Sequence, residues 1–157
     1  MELGVKRILQ NTLATVIGLF IGMMANMLII QINTQVFFPV LPGLDMNDAS
    51  AFNQYLQTLP GVAFFVAMLA HLSQAFLGAV VASRLAVSKP IWCALVVGGL
   101  SLCGGIWAMA LYDGPPWMYL ELPLFLLLAE RAAAWHLSAR RQASATNSFG
   151  YPTVGLG

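Results

Sequence analysis

Among the few strongly polar side chains inside apolar stretches of the sequence, five are candidates for a function. They are Asn26, His71, Gln74, Glu121 and Glu130. An imidazole can change its charge near neutral pH. Ionisable groups inside a membrane are costly, and they commonly mark a proton or ion pathway or a binding site. These residues are therefore our candidates for intramembrane ligand binding or for a proton path.

His71 stands in the apolar run MLAHLSQAF. Gln74 follows one helical turn later, so both side chains share one helix face. Two interpretations stay open for His71: an imidazole that accepts protons or binds a ligand, or a neutral group that joins helices through a hydrogen bond. We expect Asn26 to be its hydrogen-bond partner. Counting residues along the helices places Glu130 near the depth of His71, and it places Glu121 nearer the outer surface, where it would reach water.

The sequence carries no nucleophile–base pair and no nucleotide-binding loop. One histidine and two glutamates at different depths do not make a metal site, because structural zinc needs four closely spaced ligands. Cys93 and Cys103 are separated by about 15 Å along one helix, whereas a disulfide needs Cα atoms within ~7 Å. We therefore expect no catalytic residues, no metal and no cofactor.

The elements that hold these side chains are predicted from composition. The 157 residues are 59% hydrophobic and 8% charged, against about 25% charged in an average soluble domain. Four apolar segments of about 20 residues, each long enough to cross a membrane as a helix, lie at 13–32, 61–82, 91–111 and 117–137. The sequence thus predicts an all-α integral membrane protein, a four-transmembrane-helix bundle.

The bundle is expected to form a single membrane domain over residues 1–137, followed by a polar cytoplasmic tail over 138–157. The first apolar segment is longer than the roughly 7–15 residues of a signal-peptide core. We therefore expect it to stay in the protein as a membrane anchor.

Charged residues divide between the two sides of the predicted bundle. The basic residues outside the apolar segments are Lys6, Arg7, Arg84, Lys89, Arg140 and Arg141, and the acidic residues of the other two loops are Asp45, Asp48 and Asp113. By the positive-inside rule, both termini and the loop between the second and third segments are cytoplasmic. There is no basic patch with stacking aromatics, so we expect no nucleic-acid partner.

The long outer loop contains a short predicted helix that begins near Asp45 or Asp48. It carries an apolar stripe at i, i+3, i+4 and i+7, formed by Phe52, Tyr55, Leu56 and Leu59. Such a stripe is typical of a helix that lies on the membrane surface with its apolar side towards lipid. The alternative is a lid over a pocket that opens to the outside.

Small residues recur along the apolar segments at positions that favour close helix packing. We expect five glycines to face other helices: Gly18, Gly22, Gly78, Gly98 and Gly99. With only four helices available, part of this surface is expected to serve a homo-oligomer or contacts with a larger membrane complex.

Three features together resemble a group of small, uncharacterised bacterial four-helix inner-membrane proteins. They are Asn26 in the first helix, the Pro-x-Gly-x-Asp type loop LPGLD, and the Ala-His of AHLSQAFLGAVVA in the second helix. The likeness covers about the first 85 residues, and Gln74 stands where those proteins tend to have glycine. The resemblance implies a multi-pass location in the bacterial inner membrane, and it implies no activity.

Our leading hypothesis from the sequence is a non-enzymatic structural or assembly module, which associates with itself or packs against larger membrane subunits. The alternative hypothesis is a proton-coupled carrier or channel for a small solute that uses His71 and Glu130. Apart from the lipid bilayer, the sequence identifies no partner.

Overall fold

The computed structural model describes residues 2–148, except for the side chains of residue 141 and residues 143–148. The described part is all-α, with a π-helical turn at Asn33–Phe37 and a 3-10 turn at Pro116–Leu120. Its five helices are α1 (Glu2–Ile32), α2 (Ala49–Leu56), α3 (Gly61–Leu85), α4 (Pro90–Leu111) and α5 (Glu121–Ser148).

Three of the described helices are long and apolar enough to cross a membrane: α1 with its π-helical extension to Phe37, α3 and α4. The chain is thus a helical protein with three candidate membrane spans, as a multi-pass membrane protein requires. The expected fourth apolar segment forms the start of α5, which carries Glu121, Glu130 and Arg131 within three turns. The apolar segments of α1, α3 and α4 contain no charged residues.

Two helices extend beyond the predicted apolar segments. The first helix starts at Glu2 instead of residue 13, because the polar residues before the apolar run continue the helix without a break. The tail predicted from residue 138 is helical as far as Ser148. Residues 149–157 of that tail lie outside the described residues.

Helix α3 lies at the centre of the bundle and packs against α1, α4 and α5. It runs antiparallel to α1, since Asn26 contacts Gln74 whereas Asn33, further along α1, contacts Ala63 near the start of α3. The end of the bundle that carries α2 and the α4–α5 turn is called the α2 end. The opposite end, which carries Arg84 and the α3–α4 turn, is called the basic end.

Glycines allow α1 and α3 to touch through their backbones. A Cβ atom on Gly18 would lie 2.5 Å from the carbonyl oxygen of Gly78, and a Cβ atom on Gly22 would collide with the carbonyl oxygen of Gln74. Gly98 likewise packs against α5, where a Cβ atom would lie 2.6 Å from Cβ of Ala129. These glycines therefore lie at contacts between helices.

Gly99 faces no other helix within the bundle, because a Cβ atom on Gly99 would have no described heavy atom within 4 Å. Consecutive helix residues are about 100° apart around the axis. Gly98 faces α5, so its neighbour Gly99 points away from that contact.

The core between α3, α4 and α5 is built mainly from alanine. Ala79, Ala94, Ala129, Ala132 and Ala133 are completely buried and form one cluster. Side chains this small bring helix backbones close together, as in other membrane bundles. This half of the bundle, towards the basic end, is densely packed.

Asn11 fixes the α3–α4 turn at the basic end. Its side-chain oxygen accepts hydrogen bonds from the backbone amides of Val87 (3.2 Å) and Ser88 (3.1 Å), and its side-chain nitrogen donates to the hydroxyl of Ser88 (2.9 Å). Lys89 adopts a left-handed conformation, with φ of 53°, immediately before α4. One side chain of α1 therefore satisfies the backbone of the turn between its neighbours.

Candidate ligand-binding cavity

A cavity of about 300 Å³ lies inside the α2 end of the bundle. We call it the α2 cavity. Residues of all five elements around it form its wall: the second half of α1 with the π-helical turn, α2, the start of α3, the end of α4, and the turn that leads into α5. Its volume is at the lower end of the range of about 300–1,000 Å³ that is usual for small-molecule sites.

Helix α2 forms the roof of this cavity. Asp48 caps its first turn, accepting hydrogen bonds from the backbone amides of Ser50 (2.9 Å) and Ala51 (3.2 Å). Asn53 ties the helix to the end of α4, because its side chain donates to the carbonyl of Leu111 (3.1 Å) and accepts from the amide of Asp113 (3.0 Å). The roof is therefore attached to the bundle by directed hydrogen bonds.

The apolar stripe of α2 faces inwards. Phe52, Tyr55, Leu56 and Leu59 all line the cavity. The ring of Phe52 packs edge-on against Tyr112, with 5.3 Å between ring centroids. Of the two interpretations of the stripe, the expectation that it faces lipid was wrong, and the position of α2 is that of a lid.

Tyr55 anchors the roof to the segment that follows the π-helical turn. Its hydroxyl donates a hydrogen bond to the carbonyl of Phe38 (3.2 Å), and the side chain is 7% exposed. Burial raises the pKa of the Tyr55 hydroxyl above its ordinary value of 10.0, because the charged phenolate loses contact with water.

His71 and Glu121 form a pair in the wall of the cavity. The imidazole Nδ1 lies 3.1 Å from Oε1 and 3.3 Å from Oε2 of the carboxylate. Nδ1 is therefore within hydrogen-bond distance of both carboxyl oxygens. Glu121 is 1% exposed, and the His71 side chain keeps 25% of its surface exposed.

The predicted positions of both glutamates were wrong. Glu121 does not reach water at the outer surface, since it is buried against α3. Glu130 is exposed on the outside of the bundle and does not share the level and face of His71. The two glutamates are nine residues apart on α5, and nine steps of about 100° place them on opposite faces of the helix.

Asn26 pairs with Gln74, and the expectation that it would pair with His71 was wrong. The Asn26 side chain donates to Oε1 of Gln74 (2.7 Å), and the Gln74 amide in turn approaches the hydroxyl of Ser101 (3.5 Å). This chain of polar groups joins α1, α3 and α4. The buried Oδ1 of Asn26 has no hydrogen-bond partner among the described residues.

Asn33 is a cavity residue that the sequence analysis missed. Its side-chain nitrogen donates to the carbonyl of Ala63 (3.2 Å), and the residue is 6% exposed. Because a carbonyl only accepts hydrogen bonds, the nitrogen must face Ala63, and Oδ1 is left as a buried acceptor without a partner. A π-helical turn begins at Asn33. Such turns are frequent at functional sites, so this turn indicates that Asn33 belongs to one.

Among the described residues, no three His, Cys, Asp or Glu side chains lie close enough together to hold a metal ion. Of the two cysteines, Cys93 is buried and Cys103 is exposed, and both are free thiols. The polar groups around the cavity can donate and accept hydrogen bonds and can hold a proton between an imidazole and a carboxylate.

No family model matches the chain, and no curated protein and no solved structure matches it significantly. The resemblance to small bacterial four-helix membrane proteins stays a prediction.

Proposed function

We propose that this protein is a non-enzymatic membrane protein that binds a small, largely apolar molecule in the α2 cavity. The observation that carries the proposal is the cavity itself, whose wall includes the His71–Glu121 pair and Asn33, a buried residue whose Oδ1 has no hydrogen-bond partner among the described residues. An unsatisfied buried acceptor costs about 1–3 kcal/mol, so a donor from a bound molecule would stabilise the protein.

The rest of the wall supports the same proposal. Apolar side chains from α1, α2 and α3, among them Met27, Phe52 and Phe64, surround a few polar groups. Small-molecule sites commonly combine an apolar wall with a small number of placed polar groups. Towards the basic end the bundle is filled by alanine, which leaves the α2 end as the accessible side.

We further infer that α1, α3, α4 and the first half of α5 cross the bacterial inner membrane, with both termini in the cytoplasm. The basic residues collect at the basic end, and the positive-inside rule assigns that end to the cytoplasm. Asp45, Asp48 and Asp113 lie at the α2 end, which would therefore face outwards. In this orientation the cavity receives its ligand from the outside or from the outer leaflet.

Native mass spectrometry of the protein purified from its own membranes tests the binding function. The wild type is expected to carry a bound small molecule. Ala67 lies in the cavity wall, so Ala67→Trp should fill the cavity and remove the bound mass. Ala110→Trp is the matched control, because Ala110 is exposed on α4.

The three proteins should have similar far-ultraviolet circular dichroism spectra, which shows that the substitutions leave the helical fold intact. A bound mass that persists in Ala67→Trp would place the ligand elsewhere. Identical spectra without any bound molecule in the wild type and both variants would contradict the proposal.

A second candidate function is assembly with other membrane subunits or with further copies of this chain. It is favoured by Gly99 and Gly104 of α4, because a Cβ atom on either residue would meet nothing within 4 Å. Light scattering in detergent tests it: a multimer that Gly99→Leu dissociates would support assembly, and a strict monomer without co-purifying subunits would contradict it.

The His71–Glu121 pair is compatible with the alternative hypothesis of a proton-coupled carrier. In this version of the hypothesis, Glu121 takes the role that the sequence analysis gave to Glu130. It predicts solute flux in proteoliposomes that is lost in Glu121→Gln and retained in Glu130→Gln. Equal flux in both variants would remove it.

A further inference from the structure

The charges and the unpartnered groups around the α2 cavity indicate which class of molecule fits it. Two acidic residues, Glu121 and Asp113, line the cavity, and no lysine or arginine is among the residues of its wall that the structure describes. The two carboxyl groups can each carry a negative charge in a mostly apolar wall. A buried charge of this kind is stabilised by an opposite charge within a few ångströms.

The unpartnered acceptors point to a ligand that donates hydrogen bonds. Oδ1 of Asn33 is fixed as an acceptor by the bond from its own nitrogen to Ala63, and Oδ1 of Asn26 is also without a partner. Asn26 and Asn33 are seven residues apart, about 10 Å along α1 at ~1.5 Å per residue. The cavity wall therefore contains asparagine residues at two levels, each with a buried acceptor that has no partner among the described residues.

Aromatic rings make up much of the remaining wall. Six of them line the cavity: Phe38, Phe52, Tyr55, Phe64, Tyr112 and Tyr119. The faces of aromatic rings attract cations as well as apolar groups. A wall of acidic groups, hydrogen-bond acceptors and aromatic rings suits a positively charged group carried on an apolar body.

We propose that the α2 cavity binds a primary or secondary organic ammonium ion with an apolar body, its charged nitrogen near Glu121. A quaternary ammonium would satisfy the charge but has no N–H group to donate to the carboxyl oxygens of Glu121. This inference rests on the proposed binding function and adds the chemical class of the ligand.

Isothermal titration calorimetry of the protein in lipid nanodiscs, with three probes of matched shape, tests this inference. The probes are 4-phenylbutylamine, which is cationic at pH 7, 4-phenylbutan-1-ol, which is neutral, and 4-phenylbutanoate, which is anionic. The wild type should bind the amine more tightly than the other two. Binding to the Ala67→Trp variant provides the background of partition into lipid.

Two glutamate variants of α5 provide the second comparison. Glu121→Gln should weaken binding of the amine about tenfold or more, because hydrogen bonds to charged groups are among the stronger ones. Glu130→Gln makes the same chemical change at an exposed site of the same helix and should leave the affinity unchanged. The comparison of the probes on the wild type does not depend on the folding of either variant.

The outcomes separate the two proposals. If the alcohol or the carboxylate binds as tightly as the amine in the wild type, the ammonium inference is wrong and the binding function stands. If the amine binds the Glu121→Gln and wild-type proteins equally, the inference is also wrong. If none of the probes binds the wild type above the Ala67→Trp background, both the inference and the proposed binding function are contradicted.

Discussion

A comparison of Gly22→Ala with Gly99→Ala tests the close contact between α1 and α3. A Cβ atom on Gly22 would collide with the carbonyl oxygen of Gln74 and would lie 3.2 Å from its carbonyl carbon, whereas one on Gly99 would meet nothing within 4 Å. Backbone atoms cannot rotate away, so α1 must move away from α3 in the first variant. That movement also stretches the 2.7 Å hydrogen bond between Asn26 and Gln74.

The expected difference follows from two terms. Replacing glycine by alanine within a helix gains roughly 0.5–1 kcal/mol, and this gain is common to both variants. Overpacking at a tight contact costs about 1–3 kcal/mol, and it applies to Gly22→Ala alone. The free energy of unfolding of Gly22→Ala should therefore be lower than that of Gly99→Ala by about 1–3 kcal/mol.

Reversible unfolding in mixed micelles of dodecyl maltoside and SDS, followed by far-ultraviolet circular dichroism, measures this difference. The comparison cancels the helix propensity of the substitution and most effects of the detergent. If Gly22→Ala is as stable as Gly99→Ala, or more stable, then α1 and α3 do not touch at Gly22 and the packing described here is wrong.

Three further predictions concern the α2 end and the orientation of the bundle. In intact cells, a membrane-impermeant thiol reagent should label Ser50→Cys but not Val87→Cys, and the reverse pattern would contradict the proposed topology. The raised pKa of Tyr55 leaves stability unchanged well below pH 10.0 and lowers it as the pH rises further, because the unfolded chain releases the proton first. Tyr55→Phe should remove this loss, which is measured as thermal unfolding on either side of pH 10.0. Asp48→Ala should remove about 1 kcal/mol of capping and speed amide hydrogen exchange in α2, and unchanged exchange there would show that the cap is unimportant.

Much of the helical framework could be predicted from the sequence because hydropathy and small-residue spacing act locally. The apolar runs lead to α1, α3 and α4, and the spacing of Gly18 and Gly22 identifies the face of α1 that meets α3. Gly99 shows the limit of this reasoning. Adjacent glycines point in different directions, and only the position of the neighbouring helix decides which one is packed.

The partners of the polar side chains could not be predicted in the same way. Residue counting assumed that the helices begin at one level, which placed Glu121 far above His71. In the structure the side chains of His71 and Glu121 meet. Glu121 is the first residue of α5, whereas His71 lies ten residues, or roughly 15 Å, after the first residue of α3, so α5 begins about that much deeper in the bundle. The offset is produced by the tertiary arrangement of the roof and the α4–α5 turn, which no local pattern encodes.

The side of α5 on which Glu130 lies could have been predicted from the sequence alone. Nine residues separate it from Glu121, and the helical period places the two on opposite sides of α5. The expectation that Glu130 would join His71 considered depth and left out rotation about the helix axis. Asn33 was missed for another reason: its role depends on the carbonyl of Ala63, and a backbone partner leaves no mark in the sequence.

Thiol labelling at Ala67 measures most directly whether a cavity opens inside the α2 end. In a background with Cys93→Ser and Cys103→Ser, a cationic methanethiosulfonate reagent is added to intact cells that carry either Ala67→Cys or Ala75→Cys. Ala67 lines the cavity, whereas Ala75 lies two turns further along α3 and is completely buried. We predict that the reagent labels Ala67→Cys rapidly, that 4-phenylbutylamine slows this labelling, and that Ala75→Cys is not labelled. The account would be contradicted if Ala67→Cys were not labelled, or if both variants were labelled equally.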